Sequence, residues 1–442
     1  MRSQPAVLTL TALLALVVGG AASPLVAQAD PQPLFQAAFS FSNPGARSMG
    51  FAGAFVALAD DATAAFANPA GLVQLLEPEV SLDLRLWDYS TRYTAGGRVV
   101  GLPSGFGLDD TPGLRFGESS DSLAGLSFLS FVYPREKWSL AFYRHLQGNF
   151  ESFTETQGLF GGGGQCCHVR FADQRTASDW ELVSYAVSAG YQLSDRLSLG
   201  ASLVYFDGML TLDAATYARD SDSPDLFFEP ISYLPQRVII SQSLSIDDTD
   251  LGLTAGALWR LSPAWHLGAV YREGPDFGFG GIVVAGPESG LGVPAGTVLF
   301  SGFLTNLSFP DGYGAGFAYR SQSGRVTAAF EWDRVEYTDV TSSLGIDDQE
   351  IDDANELRLG GEYVFLESTP VVAVRLGAWH DPDHLMRGNG REPVVDAFSP
   401  PGDDEVHYTA GIGIAFETFQ FDVGVDLSDF ADTLSISAVF SL

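Results

Sequence analysis

The sequence predicts an all-β protein: a transmembrane antiparallel β-barrel of about fourteen strands with a small N-terminal helical plug, or hatch. Three observations carry that expectation. The C-terminal third alternates apolar with small or charged residues at a period of two. Its runs last about ten residues or more, near the length that crosses a bilayer at a tilt, where strands of soluble proteins average about half that. Short polar turns also alternate with long acidic or glycine-rich connections along the chain, the asymmetry of an outer-membrane barrel.

Residues 1–29 read as a Sec-type export signal. Arg2 supplies the positive end, Ala6 to Val18 the apolar core and Ala27-Gln28-Ala29 the small-residue cleavage site. Residues 30–78 read as the plug. Within it, Asn43 to Leu76 is the one long stretch that is neither strand, turn nor polar loop. Asp60 and Asp61 are placed to cap a short helix over Ala62 to Ala67, because their carboxylates accept first-turn N–H groups. Asn68-Pro69 then stops it, since a residue before proline leaves the α region. Ala70 to Leu76 can add a second helical turn, and Gly45, Gly50 and Gly53 permit close packing upstream.

Residues 79–442 read as the barrel. Val406, Tyr408, Ala410, Ile412, Ile414 and Phe416 alternate with small or polar neighbours. Phe419 to Leu427 and Leu434 to Leu442 repeat the pattern. Glu356, Arg358 and Glu362 share one face of a strand opposite Leu357, Leu359, Tyr363 and Phe365, with Arg375, Asp422 and Asp426 on later strands. A polar lumen inside an apolar exterior accounts for such charge in register. An even count needs one strand to run from about Leu299 to Arg320 through Pro310, where a bulge or kink is expected. Trp138, Tyr185, Tyr191, Tyr205, Trp265, Tyr271 and Trp332 fall where interface girdles belong.

Composition narrows the chemistry. A formal charge of −32, with Lys137 the only lysine, excludes a phosphate-neutralising nucleic-acid surface. The acid excess fits solvated loops, or loops bridged by cations to lipopolysaccharide. Cys166 and Cys167 are adjacent, so they can form only a strained vicinal disulfide. With His168 they lack a fourth ligand and the spacing of a metal site. Of the six histidines, His145 and His407 can face the lumen, and His380 and His384 stand beside Asp381 and Asp383. No serine nucleophile motif accompanies them, so no enzyme and no cofactor is expected.

The plug run GARSMGFAGAFVALADDATAAFANPAGL holds Asn68-Pro69-Ala70, and ELRLGGEYVF, VAVRLGAWHDPDH, HYTAGIGIAF, FQFDVGVDLSD and TLSISAVFSL follow in order at the tail. With LSFPDGYGAGFAYR and LGAVYREGPDF between them, the chain resembles the FadL/TodX family of outer-membrane transporters for long-chain fatty acids and other hydrophobic compounds. The resemblance implies a fourteen-stranded, outer-membrane barrel, acting as a monomer among lipid and lipopolysaccharide after insertion by the barrel-assembly machinery. It implies apolar substrate passing the hatch and leaving sideways into the membrane. Two departures stand out: the chain ends on Leu442 with Phe440 two residues earlier, and the loop after the third strand is glycine-rich rather than apolar. PorV-like barrels, which serve protein secretion and surface-protein attachment without lipid transport, share the plug motif and form the alternative.

Two sets of site residues follow. Phe51, Phe55, Val56, Leu58 and Phe66 are the apolar plug residues expected to bind substrate under the hatch. The gating set is Asn68, Pro69, Ala70, Arg144, Gly148 and Asn149. In the third strand, Arg144 falls on the apolar register after Trp138, Leu140 and Phe142, and Gly148-Asn149 interrupt the run. Arginine facing lipid costs roughly 2–4 kcal/mol at mid-membrane. A kink would relieve that cost and create a lateral opening with Asn68-Pro69-Ala70 beside it.

The expected topology puts both termini and the short turns in the periplasm. An epitope tag within residues 382–404 should then be accessible on intact cells and one in the 321–324 turn hidden. The opposite pattern would reverse the orientation.

Overall fold

Period-two alternation commits one face of a strand to lipid and the other to a lumen. In the computed structural model, which describes residues 43–162, 169–171, 173–219, 227–345 and 347–442, fourteen antiparallel strands close into a barrel on that basis. The expected export signal, residues 1–29, the first part of the expected plug, residues 30–42, and the Cys166-Cys167-His168 cluster lie outside the described residues. The strands are β1 Glu79–Arg98, β2 Leu114–Pro134, β3 Trp138–Thr156, β4 Asp173–Gln192, β5 Leu197–Tyr217 and β6 Val238–Arg260. Two broken strands follow: β7 as Trp265–Arg272 and Asp276–Ala285, and β8 as Val298–Ser308 and Gly312–Arg320. The wall continues with β9 Val326–Val335, β10 Ala354–Phe365, β11 Val371–Asp381, β12 Glu405–Ala415, β13 Phe419–Leu427 and β14 Ala431–Ser441. Pairing of β1 with β14, from Glu79 against Ser441 to Tyr89 against Ala431, closes the cylinder.

The charged register faces inward as the alternation requires. Glu356, Arg358 and Glu362 are buried, whereas Leu357 and Leu359 are 46% and 60% exposed on the outer face. The break expected near Pro310 is present at Phe309-Pro310-Asp311, and the neighbouring strand breaks beside it at Glu273-Gly274-Pro275. Two prolines on adjacent strands each lack a ladder donor. Asp311 substitutes, accepting from Gly274 N (2.9 Å) and the Tyr271 hydroxyl (2.6 Å).

Strands β1 to β6 run 19 to 23 residues, against 9 to 12 for β9 to β14. Parts of residues 94–120, 153–177 and 213–242, whose acidic or glycine-rich composition reads as long loops, are therefore strand. Outside the apolar band a strand needs no apolar face, so polar runs there carry no alternation to read. On β5 the change falls between the outward residues Tyr205 and Asp207.

The plug occupies the half of the lumen nearest the short turns. It contains α1 Ala46–Gly50, α2 Ala64–Ala67 and a 3-10 segment Pro69–Gln74. Neither aspartate caps α2: its N-cap is Thr63, which makes no side-chain cap, and Asp61 accepts from Thr63 N just before the helix, at 2.9 Å. Asp60 instead pairs with Arg47 at 2.7 Å and with Arg320 of the wall. So little regular structure leaves many backbone groups unpaired, and buried ones must find partners. Lumenal side chains supply them. Glu331 accepts from Val56 N (2.7 Å), Arg358 donates to Ala52 O (3.1 Å), Arg272 to Ala67 O (2.8 Å) and Ser188 to Ala65 O (3.0 Å).

Glycine provides the clearance. A Cβ on Gly200 would lie 2.2 Å from the Pro69 carbonyl carbon, one on Gly256 2.2 Å from Asn68 Oδ1, and one on Gly268 2.3 Å from Val56 O. Across the lumen, Gly360 would meet Phe51 O at 2.4 Å and Gly424 Ala46 O at 2.6 Å. Plug backbone therefore lies directly on wall backbone around most of the circumference.

Gly200→Ala should displace the plug, at an overpacking cost of about 1–3 kcal/mol. The expected readout is raised permeability to large antibiotics with normal barrel assembly. Gly361→Ala, whose nearest neighbour would be Thr327 O at 3.8 Å, is the control and should change nothing.

Candidate functional site

Above the plug the lumen holds a cavity of ≈ 440 Å³. Met49 of the plug forms part of its floor, and β1 contributes Arg85, Trp87 and Tyr89. Glu356 and Arg358 of β10, Trp379 of β11, His407 of β12 and Asp426 of β13 line the opposite side, and the segment after β11 covers the top.

The charged wall is internally paired. Arg358 lies between Asp333 (3.2 Å) and Glu356. Arg375 joins Glu362 (2.8 Å) to Asp422 (2.6 Å), reaching across β12 where Gly413 leaves room. Trp379 is held on both faces, with His407 stacked at 3.8 Å and the Arg358 guanidinium at 4.1 Å, while its indole N–H donates to Asp426 (3.0 Å). Removing one partner from such buried pairs costs about 3–5 kcal/mol.

The cover is tied down as well. Thr94 of β1 donates to Ala397 O (2.6 Å), and the His384 ring stacks on Tyr337 at 4.5 Å. Burial disfavours charge on His384, but Asp381 at 3.4 Å and the Pro382 carbonyl outweigh it and raise the pKa from 6.5 to about 9. Among the described residues no group of three or more His, Cys, Asp or Glu is arranged to hold a metal.

The wall has a seam between β2 and β3. The two strands pair from Pro134 against Ser139 only as far as Phe128 against His145. Beyond that rung each carries an extra residue. The register of β2 shifts against β1 at Ser127, and that of β3 shifts against β4 at Gln147. Both strands then continue, β2 paired with β1 up to Leu114 and β3 with β4 up to Thr156, but not with each other. The bulge reverses the faces of β3: Leu140 and Phe142 point outward below it, whereas Leu146 and Phe150 are buried above it.

Side chains replace the missing ladder. The Arg144 guanidinium donates to Leu126 O at the end of the paired region. Arg144 is paired with Tyr185, itself paired with Tyr205, so it stands at the level of an outward aromatic belt. The Tyr89 hydroxyl bridges Glu151, donating to its O and accepting from its N at 2.7 Å each, and its ring stacks on Phe150 at 4.9 Å. The cavity reaches this seam, where Leu146 to Phe150 line it together with the exposed Arg92 and Glu118. At Gly148 a Cβ would lie 2.5 Å from Trp180 Nε1.

The expected site residues divide accordingly. Gly148 and Asn149 line the cavity at the seam, and Arg144 closes the ladder below it. Phe51, Phe55, Val56 and Leu58 do not line the cavity. They are fully buried between plug and wall, where Phe51, Phe55 and Leu58 pack with Ala318 and Ala329. Phe66 is the plug residue at the seam's last rung, its ring 4.4 Å from that of His145 and 5.9 Å from that of Tyr143. Asn68, Pro69 and Ala70 are seated on Gly190, Gly200 and Gly256 of β4 to β6 rather than at the break. Asn68 donates to Val56 O (2.9 Å) and Ala257 O (3.1 Å) and accepts from Ala70 N (3.1 Å), so it pins the plug to itself and to the wall. Trp87, Tyr89 and Trp379 escaped sequence reading; the only available clue was an aromatic on the inward, otherwise polar register.

No protein-family model and no curated protein sequence matches the chain. Solved structures do. A Pseudomonas aeruginosa FadL homologue aligns over 90% of this chain and 98% of its own, with 14% identity and a TM-score of 0.61. The Ralstonia pickettii toluene transporter TbuX aligns over 92% and 100%, with 15% identity and a TM-score of 0.56. The P. putida toluene transporter TodX aligns over 91% and 99%, with 14% identity and a TM-score of 0.56. The chain has the fold of the FadL and TodX channels, a closed fourteen-stranded barrel with an internal plug.

Proposed function

We propose that this protein is an outer-membrane channel that takes up hydrophobic compounds and releases them sideways, through the β2–β3 seam, into the membrane. One observation carries the reading: the cavity above the plug reaches the one place between β2 and β3 where the ladder is interrupted, so its contents have a route through the wall. The break begins at the level of the Tyr185–Tyr205 belt, at the outer edge of the apolar band, and unpaired backbone there is tolerated because a lined cavity stands behind it. The plug blocks the straight route to the periplasm, its backbone lying on the wall glycines. Trp87, Tyr89, Leu146 and Phe150 give a passing molecule apolar contact, with polar groups between them. The shared fold supports a channel rather than an enzyme, and supports an outer-membrane location.

In a deletion strain, growth on oleate, alkanes, aromatic hydrocarbons or long-chain alcohols and amines should fail for at least one class. Normal growth on all of them with loss of surface-protein secretion would overturn the proposal in favour of the PorV-like alternative. Gly148→Val should lower uptake severalfold by pressing on Trp180 and closing the seam, and Asn68→Ala should lower it by loosening the plug. If both variants assemble and transport normally, substrate leaves elsewhere.

The cover should respond to pH. A histidine whose pKa is raised on folding contributes stability that is complete below about 6.5 and lost as pH rises through about 9. Hydrogen exchange or proteolysis within residues 382–404 should therefore accelerate between neutral pH and pH above about 9. His384→Gln should be open at both and show no such step.

A further inference from the structure

The lining of the cavity is poorly suited to an anion. Nine carboxylates line it against three arginines, and Asp403, Asp404 and Asp429 stand exposed at its mouth. Two of the three arginines are already held by carboxylates, and the third is exposed over an aromatic ring. Arg85 is held by Asp83 (3.2 Å), Arg358 by Asp333 and Glu356, and Arg92 lies over the Phe116 ring at 3.8 Å. His384 and His407 are likewise committed, to Asp381 and Asp426.

A second and independent observation concerns hydrogen bonds. His145, 1% exposed, lines the cavity with a ring nitrogen, Nδ1, that has no hydrogen-bond partner among the described residues. Gln147 Oε1, in the bulge of β3, lines the same cavity and also has none. Asp381 Oδ1 has only His384 Nδ1, at 3.4 Å. Gln147 Oε1 and Asp381 Oδ1 are acceptors, and a neutral imidazole offers an acceptor at one of its two nitrogens. Buried polar atoms left without a partner mark a place where another molecule completes the bonding.

We propose that the compound accepted here is an apolar alcohol or amine, neutral or cationic and donating a hydrogen bond from its polar end, and that fatty-acid anions are rejected. The proposal rests on the channel reading above and narrows its substrate class. Carboxylates of like sign focused in a low-dielectric passage repel an entering anion and concentrate a cation. Donation to Gln147, Asp381 or His145 would then set the polar end at the seam or beneath the cover, with the apolar part against Trp87, Tyr89 and Phe150. A plain hydrocarbon would leave those acceptors unsatisfied.

The test uses the full-length mature protein in zwitterionic nanodiscs, with empty nanodiscs as reference. Quenching of tryptophan fluorescence by ω-brominated dodecanol, dodecylamine and dodecanoate reports binding at neutral pH, because Trp87 and Trp379 line the cavity. The alcohol and the amine should bind about tenfold or more tightly than the carboxylate, the scale of like-charge discrimination at an interface. In the Asp403→Asn, Asp404→Asn, Asp429→Asn variant, and at high salt, the carboxylate should recover most of that difference. Equal or tighter binding of dodecanoate by the unaltered protein overturns the proposal while leaving the channel reading intact. A preference that persists undiminished in the variant overturns the electrostatic cause and the proposal with it. Failure of all three probes to bind, together with absent uptake, overturns both.

Discussion

The structure depends on one constraint: a plug with almost no regular secondary structure must keep its backbone hydrogen-bonded inside a closed wall. Elements as short as Ala46–Gly50 and Ala64–Ala67 satisfy few of their own groups. Two residue types on the wall meet the requirement together. Glycines bring wall backbone within contact of plug backbone, and charged or hydroxyl side chains at the intervening positions reach the orphan carbonyls and N–H groups. Neither alone would serve. Glycine without Glu331 and Arg358 would bury unsatisfied amides, and those side chains without glycine would hold the plug off the wall.

The same requirement explains why the wall's irregularities are concentrated. A closed barrel tolerates a missing rung only where something replaces it. At the β2–β3 seam the replacements are Arg144, Tyr89 and the plug residue Phe66 beneath. At the β7–β8 breaks they are Asp311 and Phe309. The two places are joined, since Phe309 stacks on Trp180 at 5.2 Å and Trp180 fills the space over Gly148. A bulk change at Gly148 is therefore felt at both breaks, which makes that glycine a sharper probe of the seam than any exposed residue on it.

Much of this was legible in the residues. Alternation from Val406 onward, and Glu356-Arg358-Glu362 in register, specify a wall with a polar inside, and Pro310 announces its break. The Arg144–Asn149 irregularity is visible because an arginine on an apolar register is costly. What escaped had no local signal. Gly200, Gly256 and Gly268 read as small inward residues like any others, and only the docked plug shows that a methyl group would not fit. Phe51, Phe55, Val56 and Leu58 read as ligand-facing because apolar residues in a pocket and in a packed interface have the same composition. The outer halves of β1 to β6 read as loops because a strand standing in water needs no apolar face.

The position of those four plug residues, away from the cavity, also bears on its chemistry. Had they lined the cavity, its chemistry would be that of a hydrocarbon slot, indifferent to the polar end of a molecule. With Phe51, Phe55 and Leu58 turned against Ala318 and Ala329, the plug presents mainly Met49 upward, and the cavity takes its character from the wall and cover instead. Two of the arginines that anchor the plug, Arg358 to Ala52 O and Arg85 to Asn43 O, line that cavity, and each is held by a carboxylate. The acidic balance of the passage is thus partly a consequence of how the hatch is anchored. Arginines that donate to the plug require buried carboxylates beside them, and those carboxylates, with the acidic cover, set the field that an entering molecule meets.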